Sequence, residues 1–262
     1  SLRLADQFSM GVSLRYLRSD LKISQVDDSA IAASSYAVDL SGYYQGEEQA
    51  YNDFNGRWRA GFIIQNLGPK IKYDESAVSA SFLPTMLRLG GGFDFILDSY
   101  NKVSVTAEFS KLLVPTPPLL GTFTDYNDEN GNGIFDEEEE QVGLPYTGII
   151  SGKPNDVDFL AGVFQSFSDA PGGFSEELRE FTWSLGAEYT YEDSFALRAG
   201  FFNESEDKGA RKFLALGAGF KFTGTNIDLS YLFSASKVPS PLENTLRFSL
   251  TFNFGNNEYY EY

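Results

Sequence analysis

The sequence predicts an all-β fold, a transmembrane antiparallel β-barrel of the outer membrane, from three observations. Ten segments alternate apolar and polar residues with the period of two that a β-strand imposes. Many of these segments run for about ten residues, the length that a tilted strand needs to cross a bilayer. Tight turns and long connections alternate along the chain, as they do at the two rims of a membrane barrel.

The predicted strands extend over most of the chain, and the last of them shows the pattern most clearly. There, Leu246, Phe248, Leu250, Phe252 and Phe254 alternate with small, polar or basic residues. A soluble β-sandwich or lipocalin-like barrel also alternates, but soluble strands are usually about five or six residues long. The ten predicted strands are 8–16, 36–41, 58–65, 87–95, 103–110, 181–189, 195–201, 214–221, 227–233 and 245–254.

Composition and charge exclude several classes of function. The 262-residue chain contains 24 Phe and 15 Tyr, and membrane barrels place such side chains in girdles at both interfaces. It has neither Cys nor His, which excludes thiol catalysis, Cys metal sites and a Ser-His-Asp triad. A net charge of −17 makes nucleic acid an unsuitable partner. No apolar run approaches the roughly 18 residues of a transmembrane helix.

The lengths of the connections predict the orientation of the barrel. Short turns at 98–101, 192–193 and 223–225 are expected on the periplasmic side, although the 45–57 connection on that side is long. The longest connection, 113–180, is then extracellular and has 68 residues. A segment of that length is too long for a passive loop, so we expect it to carry function. The other long connections are 18–33, 66–84, 203–211 and 234–244.

The polar faces of the predicted strands carry charges of both signs. One interpretation is a lumen closed by ion pairs, and the other is a charged conduit. Glycines on the same face make room for a plug or allow sharp curvature of the strands. The charged residues are Arg15, Arg59, Arg88, Arg198, Lys221 and Arg247, with Asp39, Asp94, Glu108, Glu188 and Asp228.

Residues 128–139 fit the calcium-loop pattern D-x-[DN]-x-[DN]-G-x5-E at every required position. A hard cation such as Ca²⁺ takes about six to eight oxygen ligands, which this spacing collects from one short loop. The flanking residues do not resemble the helices of an EF-hand. The alternative is a solvated acidic loop tip, because eight of the residues in 125–140 are acidic. The predicted ligands are Asp128, Asn130, Asn132, Asp136, Glu139 and the backbone carbonyl of Ile134.

Three aromatic residues of the long connection are candidates for binding a partner. Phe164, Phe167 and Phe174 flank a turn-forming stretch that leads into a short acidic helical start. They either pack the loop internally or form an apolar surface for a partner protein.

Four motifs make the chain resemble the PorV family, the outer-membrane barrel of the type IX secretion system. They are 66–71 (NLGPKI), 82–90 (FLPTMLRLG), 111–117 (KLLVPTP) and 166–174 (SFSDAPGGF). The resemblance implies a FadL-like barrel of about 14 strands with an N-terminal plug. We therefore expect residues 1–262 to form a single barrel domain of about 10 strands with the insertion 113–180, and without the plug and first strands of the family barrel.

The resemblance also implies a function that is not enzymatic. Proteins of this family bind the C-terminal domains of secreted cargo at a large translocon of the Sov/SprA type. They pass the cargo to a surface attachment complex with a sortase-like peptidase, in the outer membrane of Bacteroidota-type Gram-negative cells. Outer-membrane lipid surrounds the barrel.

Other functions remain open at this point. The FadL-like fold also suggests a transporter of hydrophobic small molecules, but the charged polar faces argue against an apolar path. An enzyme that modifies lipid A or surface polysaccharide would need a catalytic constellation that the sequence does not show. A passive porin is the least favoured alternative.

Overall fold

A computed structural model describes residues 2–20, 32–73, 80–126, 141–222, 224–236 and 244–253. The chain divides into two compact units. The sheet unit comprises Ser1–Leu112 and Arg179–Tyr262, and the loop module comprises Leu113–Leu178. Within the described ranges, no helix is both long and apolar enough to cross a membrane.

The secondary structure consists almost entirely of antiparallel strands. In chain order, the strands are β1 Leu2–Ala5, β2 Phe8–Ser19, β3 Ala33–Gln45, β4 Gln49–Ala50, β5 Asn55–Leu67, β6 Met86–Ile96, β7 Asn101–Leu112, β8 Leu119–Tyr126, β9 Gln141–Ser151, β10 Thr182–Tyr191, β11 Phe195–Asn203, β12 Lys212–Phe222, β13 Thr225–Ser234 and β14 Thr245–Phe252. The helices are α1 Phe159–Gln165, α2 Phe174–Arg179 and a 3₁₀ helix Glu206–Lys208.

The sheet unit contains a 12-stranded sheet in the order β1-β2-β3-β5-β6-β7-β10-β11-β12-β13-β14, with β4 paired to β5. Each of the ten predicted strands corresponds to one strand of this sheet, so the predicted all-β fold is confirmed. Among the described residues, β1 and β14 each have one neighbouring strand, and the sheet is not closed. The strands that were not predicted are β1, β4 and the separate hairpin β8–β9. The first two are too short to show a period.

One face of the sheet exposes a continuous apolar surface. The register aligns the apolar positions of neighbouring strands, and many of these side chains are exposed, with Leu14 at 82% and Phe248 at 66%. Monomeric soluble proteins rarely expose an apolar patch larger than a few hundred Å², so a face of this extent suits hydrocarbon. One aligned row is Trp58, Phe93, Val105, Ala187, Ala199, Leu216, Tyr231 and Leu246.

Aromatic side chains concentrate near both ends of the strands. Near the tight turns, the Trp58 and Phe95 rings lie 4.8 and 4.7 Å from Phe93. Near the long connections, Tyr16 and Tyr36 lie 5.3 Å apart, and other aromatic pairs are found on β10–β11 and β13. Two aromatic zones on one apolar face fit the girdles of a membrane barrel.

The connection between β5 and β6 folds onto the polar face of β3. Ile71 and Leu83 are buried against Ala33 and Ala37 of that strand. The sequence predicts only a long connection here, and the structure shows that its described residues pack on the sheet. The apolar positions of the connection have no regular period, so the sequence does not reveal this packing.

Two motifs of the family resemblance hold this connection in place. Asn66 adopts a positive φ of 57° and its backbone N–H donates to Asp39 Oδ1 at 2.8 Å. The Thr85 hydroxyl donates to the Asn66 carbonyl at 2.9 Å. A Cβ added to Gly68 would lie 2.1 Å from the Tyr36 carbonyl oxygen. The motifs 66–71 and 82–90 therefore act together as structural anchors.

Replacing Gly68 with Ala is expected to destabilise the sheet unit, because the added methyl group overlaps the Tyr36 backbone. Overpacking of this kind costs roughly 1–3 kcal/mol. The urea midpoint of the detergent-solubilised chain, followed by circular dichroism, measures the change. Gly186→Ala is the matched control, because its Cβ meets no atom within 4 Å. Equal midpoints for the two variants would contradict the anchoring role of Gly68.

Candidate functional site: the loop module

The loop module is built on the hairpin β8–β9, which forms its own two-stranded sheet. Phe123 and Tyr146 are cross-strand partners, and their rings stack with centroids 5.9 Å apart. Gly121 and Gly148 form the pair two positions away, where a Cβ on Gly148 would lie 2.8 Å from the Phe123 ring. The two glycines therefore leave room for apolar side chains to lie across the hairpin.

Buried carboxylates hold the rest of the module together. Asp169 is 1% exposed, and its Oδ2 accepts a hydrogen bond from the backbone N–H of Thr116 at 3.0 Å. Glu177 Oε1 accepts from the backbone N–H groups of Asp169 and Ala170 at 2.6 and 2.8 Å. Hydrogen bonds to charged groups are the stronger class, so these acids connect the motifs 111–117 and 166–174.

The same turn is joined to the end of the hairpin. The Ser151 hydroxyl donates to the Pro171 carbonyl at 2.7 Å. Gly152 has a positive φ of 92°, and a Cβ there would lie 3.1 Å from the Asp169 carbonyl oxygen. The positive φ of Gly152 and its missing side chain thus let the end of the hairpin approach the turn that joins α1 to α2.

The predicted partner-binding aromatics lie on this helical part of the module. Phe164 is in α1 and is 75% exposed, while Phe174 begins α2 and is 78% exposed. Phe167 follows α1 and is 44% exposed. Internal packing therefore does not account for Phe164 and Phe174, and binding of a partner stays a prediction.

Further exposed apolar residues of the module were not singled out from the sequence. Leu144 of β9 is 88% exposed, and Leu160 of α1 and Leu178 of α2 are 50% and 56% exposed. Their positions follow neither a strand nor a long-helix period, so only their exposure in the folded module marks them.

The predicted calcium loop, 128–139, lies outside the described residues. The strands before and after it are described, since β8 ends at Tyr126 and β9 begins at Gln141. The motif therefore connects the two strands of the hairpin, and its flanks are not the helices of an EF-hand. In the described part of the chain, no group of three or more acidic side chains is arranged to hold a metal ion.

A buried ion-pair cluster lies where the chain leaves and re-enters the sheet unit. Lys111, near the end of β7, has a fully buried side chain whose Nζ lies 2.5 Å from Glu180 Oε2. Lys208 Nζ lies 3.0 Å from the other oxygen of Glu180, and the Phe181 ring centroid is 5.2 Å from Lys111 Nζ. Breaking a buried pair by removing one partner typically costs about 3–5 kcal/mol, so this cluster fixes both strand ends that flank the module.

The polar face of the sheet carries the predicted ion pairs. Most of the charged residues that the sequence singled out form ion pairs in the described part of the chain, as the ion-pair interpretation predicts. For Lys221 and Arg247, no ion pair is found among the described residues. The pairs are Arg15–Asp39 at 2.5 Å, Arg59–Asp94 at 2.8 Å, Arg88–Glu108 at 3.9 Å, and Arg198 with Glu188 and Asp228 at 2.5 Å each.

Glycines of β12 make one of these pairs possible. Arg198 on β11 reaches across β12 to Asp228 on β13. A Cβ on Gly219 of β12 would lie 2.8 Å from Asp228 Oδ1 and 2.9 Å from Arg198 Nη1. Part of the glycine pattern on the polar face therefore accommodates ion pairs.

Another ion pair joins Glu204 and Arg211, at the two ends of the connection between β11 and β12. The Arg211 guanidinium donates to both carboxylate oxygens, with Nε–Oε2 at 2.6 Å and Nη2–Oε1 at 2.8 Å. These hydrogen bonds lower the pKa of Glu204 below its usual 4.5, although burial opposes the shift. The folded chain therefore favours the ionised form of Glu204.

Acidification is expected to remove the stabilisation that this pair provides. Because the folded pKa of Glu204 is below the unfolded value of 4.5, the contribution is complete at neutral pH and is lost as pH falls through the folded pKa. Arg211→Gln should lower the urea midpoint at pH 7. At low pH, the variant and the unmodified chain should have the same urea midpoint. A midpoint difference that is the same at both pH values would contradict the coupling.

An antiparallel sheet with an exposed apolar face, a charged opposite face and aromatic zones near both strand ends fits the class of outer-membrane β-barrel proteins. Residues 1–119 match the family model described as type IX secretion system protein PorV. The predicted resemblance to that family is therefore confirmed over the first 119 residues of the chain. A comparison with curated proteins found no match.

The family match covers β1–β7 and ends at Leu119, the first residue of β8. It includes three of the four motifs on which the resemblance was based. The matched family is described as a component of the type IX secretion system.

Proposed function

We propose that this chain is a non-enzymatic, outer-membrane component of the type IX secretion system that binds secreted cargo through its loop module. The main support is the combination of the family match over residues 1–119 with a compact module, Leu113–Leu178, that exposes large apolar side chains. The sheet unit serves as the membrane anchor, and the module provides the binding surface.

The exposed side chains of the module favour protein as its partner. Phe164 and Phe174 are each more than 70% exposed, and aromatic residues, Phe included, are enriched at the core of protein interfaces. The buried acids Asp169 and Glu177 rigidify the turn between α1 and α2. A preordered surface loses less conformational entropy on binding.

The proposed partners follow from the family. They are the C-terminal domains of secreted cargo, a large translocon of the Sov/SprA type, and a surface attachment complex with a sortase-like peptidase. In this proposal, the chain receives cargo at the translocon and shuttles it to the attachment complex. The barrel lies in the outer membrane of a Bacteroidota-type Gram-negative cell, and the 113–180 segment is on its extracellular side.

Transport of hydrophobic small molecules is the less favoured function. It requires an apolar path along the polar face of the sheet, where the described residues instead form ion pairs such as Arg59–Asp94 and Arg198–Asp228. Burial of an apolar solute beside these charges would remove water from them at a free-energy cost.

Replacing both Phe164 and Phe174 with Ser is expected to weaken capture of a cargo C-terminal domain or of the translocon by at least about tenfold. Truncation of a side chain that dominates an interface costs about 2 kcal/mol or more, and about 1.4 kcal/mol corresponds to tenfold. The measurement is pull-down of each partner with the full chain from solubilised outer membranes.

Tyr100→Ser is the matched control for this experiment. Tyr100 is 59% exposed in the turn between β6 and β7. This turn lies at the opposite end of β7 from Leu112, where the chain leaves the sheet unit. Its replacement should leave capture unchanged. If the double variant folds normally and captures both partners as well as the control, the module is not the binding surface.

We further propose that Ca²⁺ orders the connection between β8 and β9 through Asp128, Asn130, Asn132, Ile134, Asp136 and Glu139. The support is the complete ligand spacing of 128–139 and the repulsion among eight acidic residues within 125–140. Extracellular sites can bind with dissociation constants of about 10⁻⁴–10⁻³ M and still be occupied.

Glu139→Gln should weaken calcium uptake and leave the loop more sensitive to protease, because it removes the bidentate ligand at position twelve. Calorimetry of the full chain in detergent measures the uptake. Glu137→Gln removes the same charge at motif position ten, which supplies no ligand, and should have a smaller effect. Equal uptake by the two variants would show that charge alone attracts the ion.

A further inference from the structure

We propose that the polar face of the sheet unit contains a binding site for a small ligand that carries an oxyanion, either a carboxylate or a phosphate. The site is a cavity of about 680 Å³ lined from β3 to β13. This inference does not depend on the function proposed for the loop module. The charged residues of the lining are Arg57, Arg59, Lys102 and Arg198, with Asp94, Glu188 and Asp228.

The cavity exists because side chains are missing from adjacent strands. Gly92, Thr106, Gly186 and Gly200 form one cross-strand row through β6, β7, β10 and β11. A Cβ on Gly186 would meet no atom within 4 Å, and one on Gly200 would only touch a backbone oxygen at 3.7 Å. Glycine weakens a strand and often marks a place where a ligand approaches closely.

Two cations share a single anion at one end of the cavity. Arg59 Nη2 lies 2.8 Å from Asp94 Oδ1, and Arg57 Nη2 lies 3.2 Å from Oδ2 of the same carboxylate. The Ser104 hydroxyl also donates to Asp94 Oδ1 at 2.7 Å. Asp94 is 2% exposed, and all of these donors converge on it. The Arg57–Arg59–Asp94 group therefore keeps an excess positive charge.

The guanidinium donors are not all used. Arg59 Nε is buried and has no hydrogen-bond acceptor among the described residues. Each guanidinium has five N–H donors in a planar fork that suits carboxylate and phosphate oxygens. A buried donor without a partner needs an explanation such as a bound ion or water, and an oxyanion near Arg57 and Arg59 provides one.

At the opposite end of the cavity, the cations do not outnumber the anions. There, Arg198 is paired with both Glu188 and Asp228 at 2.5 Å. We therefore expect the oxyanion at the Arg57–Arg59 end, where two cations share one carboxylate. This surplus cation distinguishes the site from a simple ion-pair face, where each cation would meet one anion, as Arg15 meets Asp39.

The test uses the full chain in detergent micelles, with inorganic phosphate and succinate as separate probes in calorimetric titrations. Saturable uptake of at least one probe is expected, and which probe binds distinguishes phosphate from carboxylate. The double variant Arg57→Gln/Arg59→Gln should weaken uptake at least about tenfold, because it removes both guanidinium groups that would donate to the oxyanion. Added salt should also weaken uptake.

Two further variants separate binding from folding. Gly186→Phe places a ring in open space and should block uptake without removing a charge. Asp94→Asn removes the competing carboxylate and should strengthen uptake, whereas a purely structural pair would only lose stability. Arg88→Gln, on the same face but outside the cavity lining, is the matched control. The proposal is overturned if neither probe shows saturable uptake, or if the double variant and Arg88→Gln bind equally.

Discussion

The pairing of backbone hydrogen bonds between antiparallel strands is the constraint on which the rest of the structure depends. A backbone N–H or C=O that faces hydrocarbon must be satisfied within the protein. The long strands between the two edges of the sheet achieve this with ladders on both sides, such as β10 with β7 over ten residue pairs. Because the ladders place alternate residues on opposite faces, one register produces both the exposed apolar face and the charged polar face.

The polar face combines stabilisation with open space. Arg198 reaches Asp228 across β12 because Gly219 carries no side chain there. Asp39 pairs with Arg15 and also accepts the backbone N–H of Asn66, which connects the sheet to the anchored connection before β6. Ion pairs therefore stabilise the polar face, and glycines leave a cavity within it because they have no side chain to fill the space.

The four motifs of the family resemblance are mainly structural. The motifs 66–71 and 82–90 meet beside β3, and the motifs 111–117 and 166–174 meet through Asp169 and Thr116. Each pair joins segments that are distant in sequence through hydrogen bonds to backbone groups. Within the loop module, the contacts of Asp169 and Glu177 hold the turn between α1, which carries Phe164, and α2, which begins at Phe174. These contacts explain how a long connection can present an ordered apolar surface.

The sequence by itself determined the ten main strands, the apolar face and the charge pattern, because alternate side chains of a strand point to opposite faces of the sheet. Its candidate aromatics Phe164 and Phe174 are indeed exposed. Only the tertiary structure revealed the hairpin β8–β9, the packing of Ile71 on β3, and the convergence of Arg57 and Arg59 on Asp94. These features depend on contacts between residues far apart in the chain, and such contacts produce no periodic pattern in the local sequence.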